Sequence, residues 1–325
     1  MAKTFLLTDD NISRLYPELL RSYNPDAVLS IPAGESSKSI ASAEKIWRFL
    51  SENGANRQST LICVGGGMIT DLGGFAAACF KRGITHINVA TTLLAAVDAA
   101  IGGKTGIDFM GLKNEIGAFK MPAETTAYIP AFRTLPQSEL LSGWAEAVKT
   151  AYIDSADMIS EMLAADPTDI DGRDMKRFVD YCRGVKMSIV SQDPKEQGLR
   201  KILNFGHTAG HAFETLMLTR DTPVPHGVAV AHGILIALIL SFDLTGLPQQ
   251  HVTQYATWLK HYYPRLNISC RDFDAICALT AHDKKNTDTT FANFVLLEQP
   301  GSPIYDRPVS PQQLKDALDL YATLI

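Results

Sequence analysis

The chain predicts an α/β, Rossmann-like domain over residues 1–137, followed by an all-α, mostly helical domain over residues 138–325. Three observations carry this. Short β-branched runs alternate with helical stretches in the first part, the pattern of a parallel sheet covered by helices. Strand signals thin out after Ser138, where long helical patterns take over. A length of 325 residues exceeds one small core and suits two domains.

The strand candidates are residues 4–8, 27–31, 60–64 and 86–90, with helical patterning at 39–53 and 71–81 between them. The turn-like Leu135-Pro136-Gln137 closes this part. Helices follow at 139–155, 174–192, 207–218, 228–244 and 250–263, with late strands at 291–297 and 302–305. The most apolar run, residues 228–242, falls short of the roughly 20 residues a bilayer crossing requires and contains His232. It reads as a buried core helix. No repeat, heptad run or low-complexity tract interrupts the pattern.

Hydrophobic residues make up 46% and charged residues 20%, ordinary for a globular protein. A net charge of −5 argues against a nucleic-acid partner, whose backbone demands a basic surface. The five cysteines, Cys63, Cys79, Cys182, Cys270 and Cys277, are scattered with no CxxC pair, which fits reduced thiols in a cytoplasm. The first residues lack the apolar region of a signal peptide. A cytoplasmic protein with neither membrane nor nucleic-acid partner is expected.

In STLICVGGGMITDLGGFAA, Gly65, Gly66 and Gly67 join a strand to a helix. Backbone can approach a ligand there, and free N–H groups at the helix start suit a pyrophosphate. A tight turn with no ligand is the alternative, and the spacing departs from GxGxxG. Asp98, Lys104, Lys113 and Asn114 are polar islands among small and apolar residues, which favours a buried or ligand-facing role over a solvated face. Glu146 and Lys149, three apart, share a helical face, as a metal ligand and its neighbour or as a plain ion pair.

LNFGHTAGHAFE places His207 and His211 four apart, one way to hold zinc from a helix, with Glu214 as a possible third ligand. His226 follows in VPHGVAVAHG. Spacing leaves open whether His226 or Glu146 displaces one of the three. Arg82, Lys186, Arg200 and the Lys284/Lys285 pair, with Glu196 and Asn204 among them, give a surplus of cations beside these motifs, suited to a small substrate with phosphate and carboxylate groups. Unrelated surface charges are the bland alternative for any single one.

Taken in order, IPAGESSKS, GGGMITDLGGFAAACFKRG, TTLLAAVDAAIGGKTGID, LKNEIGAF, LPQSELLSGWAEAVK, KEQGLRKILNFGHTAGHAFE, HGVAVA and DKK resemble the 3-dehydroquinate synthase family across most of the chain. That resemblance implies an NAD-binding α/β domain joined to a helical metal-binding domain. It implies metal ligands at Glu146, His207 and His226, moving His211 from ligation to catalysis and leaving Glu214 a structural residue. It implies catalytic roles for His211, Lys149, Lys104, Asp98 and Glu196. Substrate would be held by Arg82, Lys113, Asn114, Lys186, Arg200, Asn204 and Lys284 or Lys285. NAD contacts would come from Asp9, Asn11, Glu35, Lys38, Gly66, Gly67, Asp71, Thr91 and Thr92.

The activity implied is conversion of 3-deoxy-D-arabino-heptulosonate 7-phosphate, a sugar acid phosphate, to 3-dehydroquinate and phosphate. It would use NAD+ and Zn2+ (or Co2+), in a homodimer. The steps are transient oxidation, phosphate elimination, reduction and aldol closure, with no net redox change. The chain departs from the family at Val228, where HGEAVA carries a glutamate, at Ala281 and His282 before DKK, and in opening close to its first strand, so the strand region usual before it is expected to be reduced. A sister sugar-phosphate cyclase lacking carboxylate recognition and a decayed, non-catalytic NAD-binding protein are the competing readings.

Overall fold

In the computed structural model, which describes residues 2–171, 174–281 and 291–325, the chain forms two compact units, Met1–Leu135 and Pro136–Ile325. The division falls within the Leu135-Pro136-Gln137 turn, where Pro136 caps the first helix of the second unit.

The first unit is built on a five-stranded parallel sheet. Its elements run β1 (Thr4–Asp9), α1 (Asp10–Leu15), α2 (Pro17–Ser22), β2 (Ala27–Ile31), α3 (Ile40–Glu52), β3 (Thr60–Gly65), α4 (Gly67–Cys79) and β4 (Thr85–Ala90). An antiparallel hairpin follows, β5 (Lys104–Phe109) and β6 (Leu112–Phe119), and then β7 (Glu124–Ala127). Sheet order is β2-β1-β3-β4-β7. Strand residues alternate between two cores. Phe5, Leu7, Leu61 and Cys63 pack with Ile46, Leu50, Leu72 and Phe75 on one face, while Leu6, Ile62 and Val64 pack with Ile12 and Leu20 on the other. Both faces are covered, so the strands read as continuous apolar runs. Because β2 and β3 flank β1 on opposite sides, the strand order reverses at β1, and ligands of such sheets bind beyond the carboxyl ends of the strands at that point.

The glycine cluster corrects the expected span of α4. The helix starts at Gly67 rather than at residue 71, with Gly66 as its N-cap, so the third glycine belongs to the first turn. It ends at Cys79 because Lys81 and Arg82 take left-handed backbone angles, φ 51° and 67°.

The second unit comprises α5 (Gln137–Asp154), α6 (Ala156–Ala164), α7 (Asp174–Gln192), α8 (His207–Thr219), α9 (His226–Thr245), α10 (Gln249–Tyr262) and α11 (Phe273–Ala281). A hairpin, β8 (Ala292–Gln299) and β9 (Ser302–Val309), and α12 (Pro311–Leu324) complete it. By length and composition α9 could cross a membrane, with a mean hydropathy of 2.1 over its most apolar window, yet 83% of that window is buried within the protein. It packs against α5, α8, α10, α12 and β8.

His232 sits inside α9 at 1% exposure. Its Nε2 lies 3.0 Å from the Pro264 carbonyl and its Nδ1 2.8 Å from the Tyr321 hydroxyl. A neutral ring satisfies both: Nε2–H donates and Nδ1 accepts. Burial, against the pull of the Pro264 carbonyl, lowers its pKa to about 4. Between about pH 4 and 6.5 the unfolded chain therefore binds a proton that the folded chain refuses. Stability is full above pH 6.5 and falls as pH drops toward 4, by on the order of 3 kcal/mol for this group. Calorimetry from pH 7.5 to 4.5 should show a shallower loss for His232→Phe than for the wild type, from a lower starting stability; parallel slopes would contradict this.

Candidate functional site

Glu146 and Lys149 lie on α5, both 1% exposed, with Glu146 Oε2 2.6 Å from Lys149 Nζ. The ion pair expected as the bland alternative is present, and more is built on it. Glu146 Oε1 lies 3.4 Å from His207 Nε2 and 3.5 Å from His226 Nε2. Ligand atoms held about 2.1 Å from a tetrahedral zinc stand about 3.4 Å from one another, so the three side chains already span two edges of such a polyhedron.

The imidazoles are aimed from behind. His207 Nδ1 is 3.2 Å from the Phe205 carbonyl, and His226 Nδ1 is 3.0 Å from Glu214 Oε2. Hydrogen bonds there leave each Nε2 lone pair for a cation. Glu214 therefore stands on the far edge of His226, away from the convergent atoms, which rules out the ligand role its spacing had suggested. Val228 is fully buried, so on this chain the carboxylate supporting His226 comes from α8. His211 joins the cluster, its ligand-capable nitrogen within 4.8 Å of those of His207 and His226.

Charge divides unevenly. Burial opposes ionisation of Glu146, but the Lys149 ammonium and His207 hold its carboxyl well below the usual range. Burial lowers His207 to about 4. Burial also opposes a charge on His226, but hydrogen bonds to Glu146 and Glu214 raise it to about 10. The donor set of one carboxylate and two oriented imidazoles, converging through Glu146 Oε1, fits a divalent cation.

Two glycines make this convergence possible. A Cβ on Gly227 would lie 1.9 Å from the Ser142 carbonyl oxygen, so the start of α9 touches α5 backbone to backbone. The Gly227 N–H donates to Ser142 Oγ at 3.0 Å. A Cβ on Gly233 would lie 2.1 Å from the Gly206 carbonyl oxygen, bringing α9 equally close to the start of α8.

In the same unit, Lys186 on α7 and Arg200 are buried. Arg200 donates from Nη1 to the Pro194 carbonyl at 2.8 Å, and Asn204 Nδ2 donates to Glu196 Oε1 at 2.7 Å. Asp193, which sequence reasoning passed over, holds the turn: its carboxylate accepts the N–H groups of Gln197, Gly198 and Arg200. Those bonds, Gln197 first, lower its pKa.

In the first unit the expected nucleotide contacts gather at strand ends. Asp9 ends β1 and accepts from Asn11 and Ile12 N–H at 2.9 and 3.0 Å. Burial outweighs these bonds and raises its pKa. Lys38 is 4% exposed, 2.6 Å from Asp71 and 3.7 Å from Glu35. Burial opposes its charge, but those carboxylates raise its pKa. Gly66 lies against Thr92, and the Thr91 N–H donates to the Gly65 carbonyl at 2.9 Å.

Of the two roles expected for the polar islands, burial does not apply to Lys104, Lys113 and Asn114, which are exposed, Lys104 opening β5 and the others lying on β6. Within the hairpin, Thr105, Gly106 and Ile107 are buried while β6 is mostly exposed. Asp98 is half-buried in a wide helical turn, Ala95–Ala99. Arg82, Asn114 and Glu196 share left-handed backbone, φ 67°, 52° and 59°, a strained state concentrated at working sites. Lys284, Lys285 and His282 lie outside the described residues.

Residues 28–142 match the family model for the 3-dehydroquinate synthase N-terminal domain, and residues 143–286 the model for its C-terminal domain. The chain is 43% identical to 3-dehydroquinate synthase of Parabacteroides distasonis, covering 98% of this chain and 91% of that one. It is 37% identical to the enzyme of that name from Oceanobacillus iheyensis, covering 98% and 89%. Among solved structures it is similar to a 2-deoxy-scyllo-inosose synthase complexed with carbaglucose-6-phosphate, NAD+ and Co2+ (TM-score 0.82, 24% identity, 98% and 90% covered). A 2-epi-5-epi-valiolone synthase from Streptomyces hygroscopicus with NAD+ and Zn2+ is similar too (TM-score 0.82, 21% identity, 99% and 91% covered).

Replacing Gly227 by Ala should force α9 away from Ser142, lowering both the melting temperature and zinc affinity, the latter by at least tenfold. Gly184→Ala, mid-helix in α7 with open space around its Cα, should instead stabilise by about 1 kcal/mol. Zinc competition titrations and thermal melts of the two variants check this; equal zinc affinity would refute the role of the close contact.

Proposed function

The chain belongs to the 3-dehydroquinate synthase family, and we propose that Glu146, His207 and His226 are its metal ligands, with His211 as the proton-handling group beside them. The activity is conversion of 3-deoxy-D-arabino-heptulosonate 7-phosphate to 3-dehydroquinate and inorganic phosphate, a phosphate–oxygen lyase reaction of the shikimate pathway. The observation that carries the site assignment is the pair of 3.4 and 3.5 Å separations from one carboxylate oxygen to two imidazole nitrogens whose other nitrogens are already occupied.

When bound, NAD+ supplies a reversible hydride acceptor, and Zn2+ or Co2+ a Lewis acid for the alcohol being oxidised. The chain's own residues do the rest. Lys149 keeps Glu146 ionised and offers a buried ammonium to the ligand. His211, its ring centre 5.4 Å from that of His207 and 5.7 Å from that of His226, is placed to exchange a proton at the substrate. Lys186, Arg200 and Asn204 are assigned to carboxylate and phosphate of the substrate by the motifs that carry them, and so are Arg82, Lys104, Lys113 and Asn114. Lys284 and Lys285 are assigned to the same anion by the motif alone. Asp98 and Glu196 set the charge around these cations, Glu196 through Asn204. Nucleotide contacts are assigned to Asp9, Asn11, Glu35, Lys38, Gly66, Gly67, Asp71, Thr91 and Thr92, supported by their gathering at the carboxyl ends of β1 to β4.

In this reading the protein is a cytoplasmic homodimer without nucleic-acid or membrane partners. The free cysteines Cys63, Cys79, Cys182, Cys270 and Cys277 support the compartment, the acidic net charge speaks against a nucleic-acid partner, and the dimer rests on family resemblance alone.

Incubated with NAD+, zinc and the heptulosonate phosphate, the protein should release phosphate and form dehydroquinate. Faster turnover of sedoheptulose 7-phosphate would favour a carboxylate-independent sister cyclase instead. Glu146→Gln should lower zinc occupancy by metal analysis. His211→Ala should retain zinc and lose a factor of about 10² to 10⁴ in kcat; loss of zinc from His211→Ala alone would reverse the ligand assignment.

A further inference from the structure

We propose that Asp108 is a positioning residue that ties the nucleotide-side loop of the first unit to the substrate-binding turn of its hairpin. The idea rests on the assignment of Glu35, Lys38 and Asp71 to NAD and of Lys113 and Asn114 to substrate, and names a residue that neither set includes.

Asp108 interrupts the β5–β6 pairing. The register runs regularly from Lys104 opposite Phe119 to Ile107 opposite Ile116, then shifts before Phe109 meets Leu112. At such an irregularity a residue is freed from the ladder and can be aimed elsewhere. The Asp108 N–H goes outward to the Lys38 carbonyl at 2.8 Å. Its side chain turns the other way along the hairpin: Oδ1 accepts the Asn114 N–H at 2.8 Å. Asn114 sits in left-handed backbone, φ 52°, uncommon for a non-glycine residue, and the Asp108 acceptor helps to hold it there. A two-stranded ribbon is marginal by itself, and most of β6 is exposed, so tethers of this kind decide where Lys113 and Asn114 point.

The other end of the tether is charged. Lys38 is a buried cation facing Asp71 and Glu35, and Asp108 adds to the negative field around it. One side chain thus serves two tasks with different chemical requirements. Holding Asn114 needs only an acceptor oxygen, whereas balancing Lys38 needs a negative charge. Any change in Lys38 or its loop on nucleotide binding reaches the substrate turn through Asp108.

The two tasks separate experimentally. In Asp108→Ala, KM for the heptulosonate phosphate should rise at least tenfold with kcat within about threefold of wild type, and the NAD+ dissociation constant, measured by fluorescence quenching without substrate, should also change. Asp108→Asn is nearly isosteric and its amide oxygen still accepts the Asn114 N–H. It should restore KM to within about threefold of wild type while leaving the NAD+ constant displaced as in the alanine variant. If both substitutions move the two constants alike, or neither moves KM, the inference is overturned. Asn114→Ala tells this failure apart from failure of the underlying assignment: it raises KM if the turn binds substrate, whatever Asp108 does, and leaves KM unchanged if it does not.

Discussion

The metal-type cluster depends on how closely α9 lies against its neighbours. Helices carrying ordinary side chains pack with axes 8 to 10 Å apart, and here the start of α9 meets both neighbours backbone to backbone. Gly227 against Ser142 and Gly233 against Gly206 remove the side chains that would hold the backbones apart. The sequence HGVAVAHG therefore does two things at once. Its first histidine enters the cluster, and its glycines let the helix bearing that histidine come near enough.

Stability is given up for this arrangement. A carboxylate and an ammonium are both removed from water at 1% exposure, and such a pair seldom returns its desolvation cost in full. Left-handed backbone is held at Arg82, Asn114 and Glu196, as it is at Asn24, Lys81, Met110, Asp221 and Asp306. The first three are among the residues proposed above to meet the substrate, where strain is a cost of keeping groups ready. The remainder of the second unit offsets this with a dense aromatic and aliphatic core that includes Trp144, Tyr152, Phe205, Phe213 and Tyr255.

Periodicity made the framework readable. The β-branched runs that became β1 to β4 and the long helices α5, α7, α8, α9 and α10 are strong local patterns, and their ends moved by only a few residues. The exception was α4, whose start was hidden because glycine was taken as loop. The six-residue α1 and α2 were too short to show a period, and β5 and β6 carry lysines and glycines that resemble a loop. In the cluster, the HxxxH spacing found His207 and His211, yet Glu146 looked like half of a helical ion pair until family resemblance singled it out. The support from Glu214 to His226 and from Asp193 to the turn before Arg200 arises from tertiary packing, to which spacing along the chain is blind.

The central place of α9 also has a bearing on synthesis. Its partners α5 and α8 emerge before it, but α10, β8 and α12, with Tyr321 for His232, are made only after it. While the ribosome completes them, a helix as apolar as a bilayer segment is only half covered. The first unit, whose 135 residues hold their own sheet and two cores, has by then everything it needs. Slow translation or premature termination in the final stretch should thus lead to aggregation through the second unit, with the nucleotide half already in its finished shape.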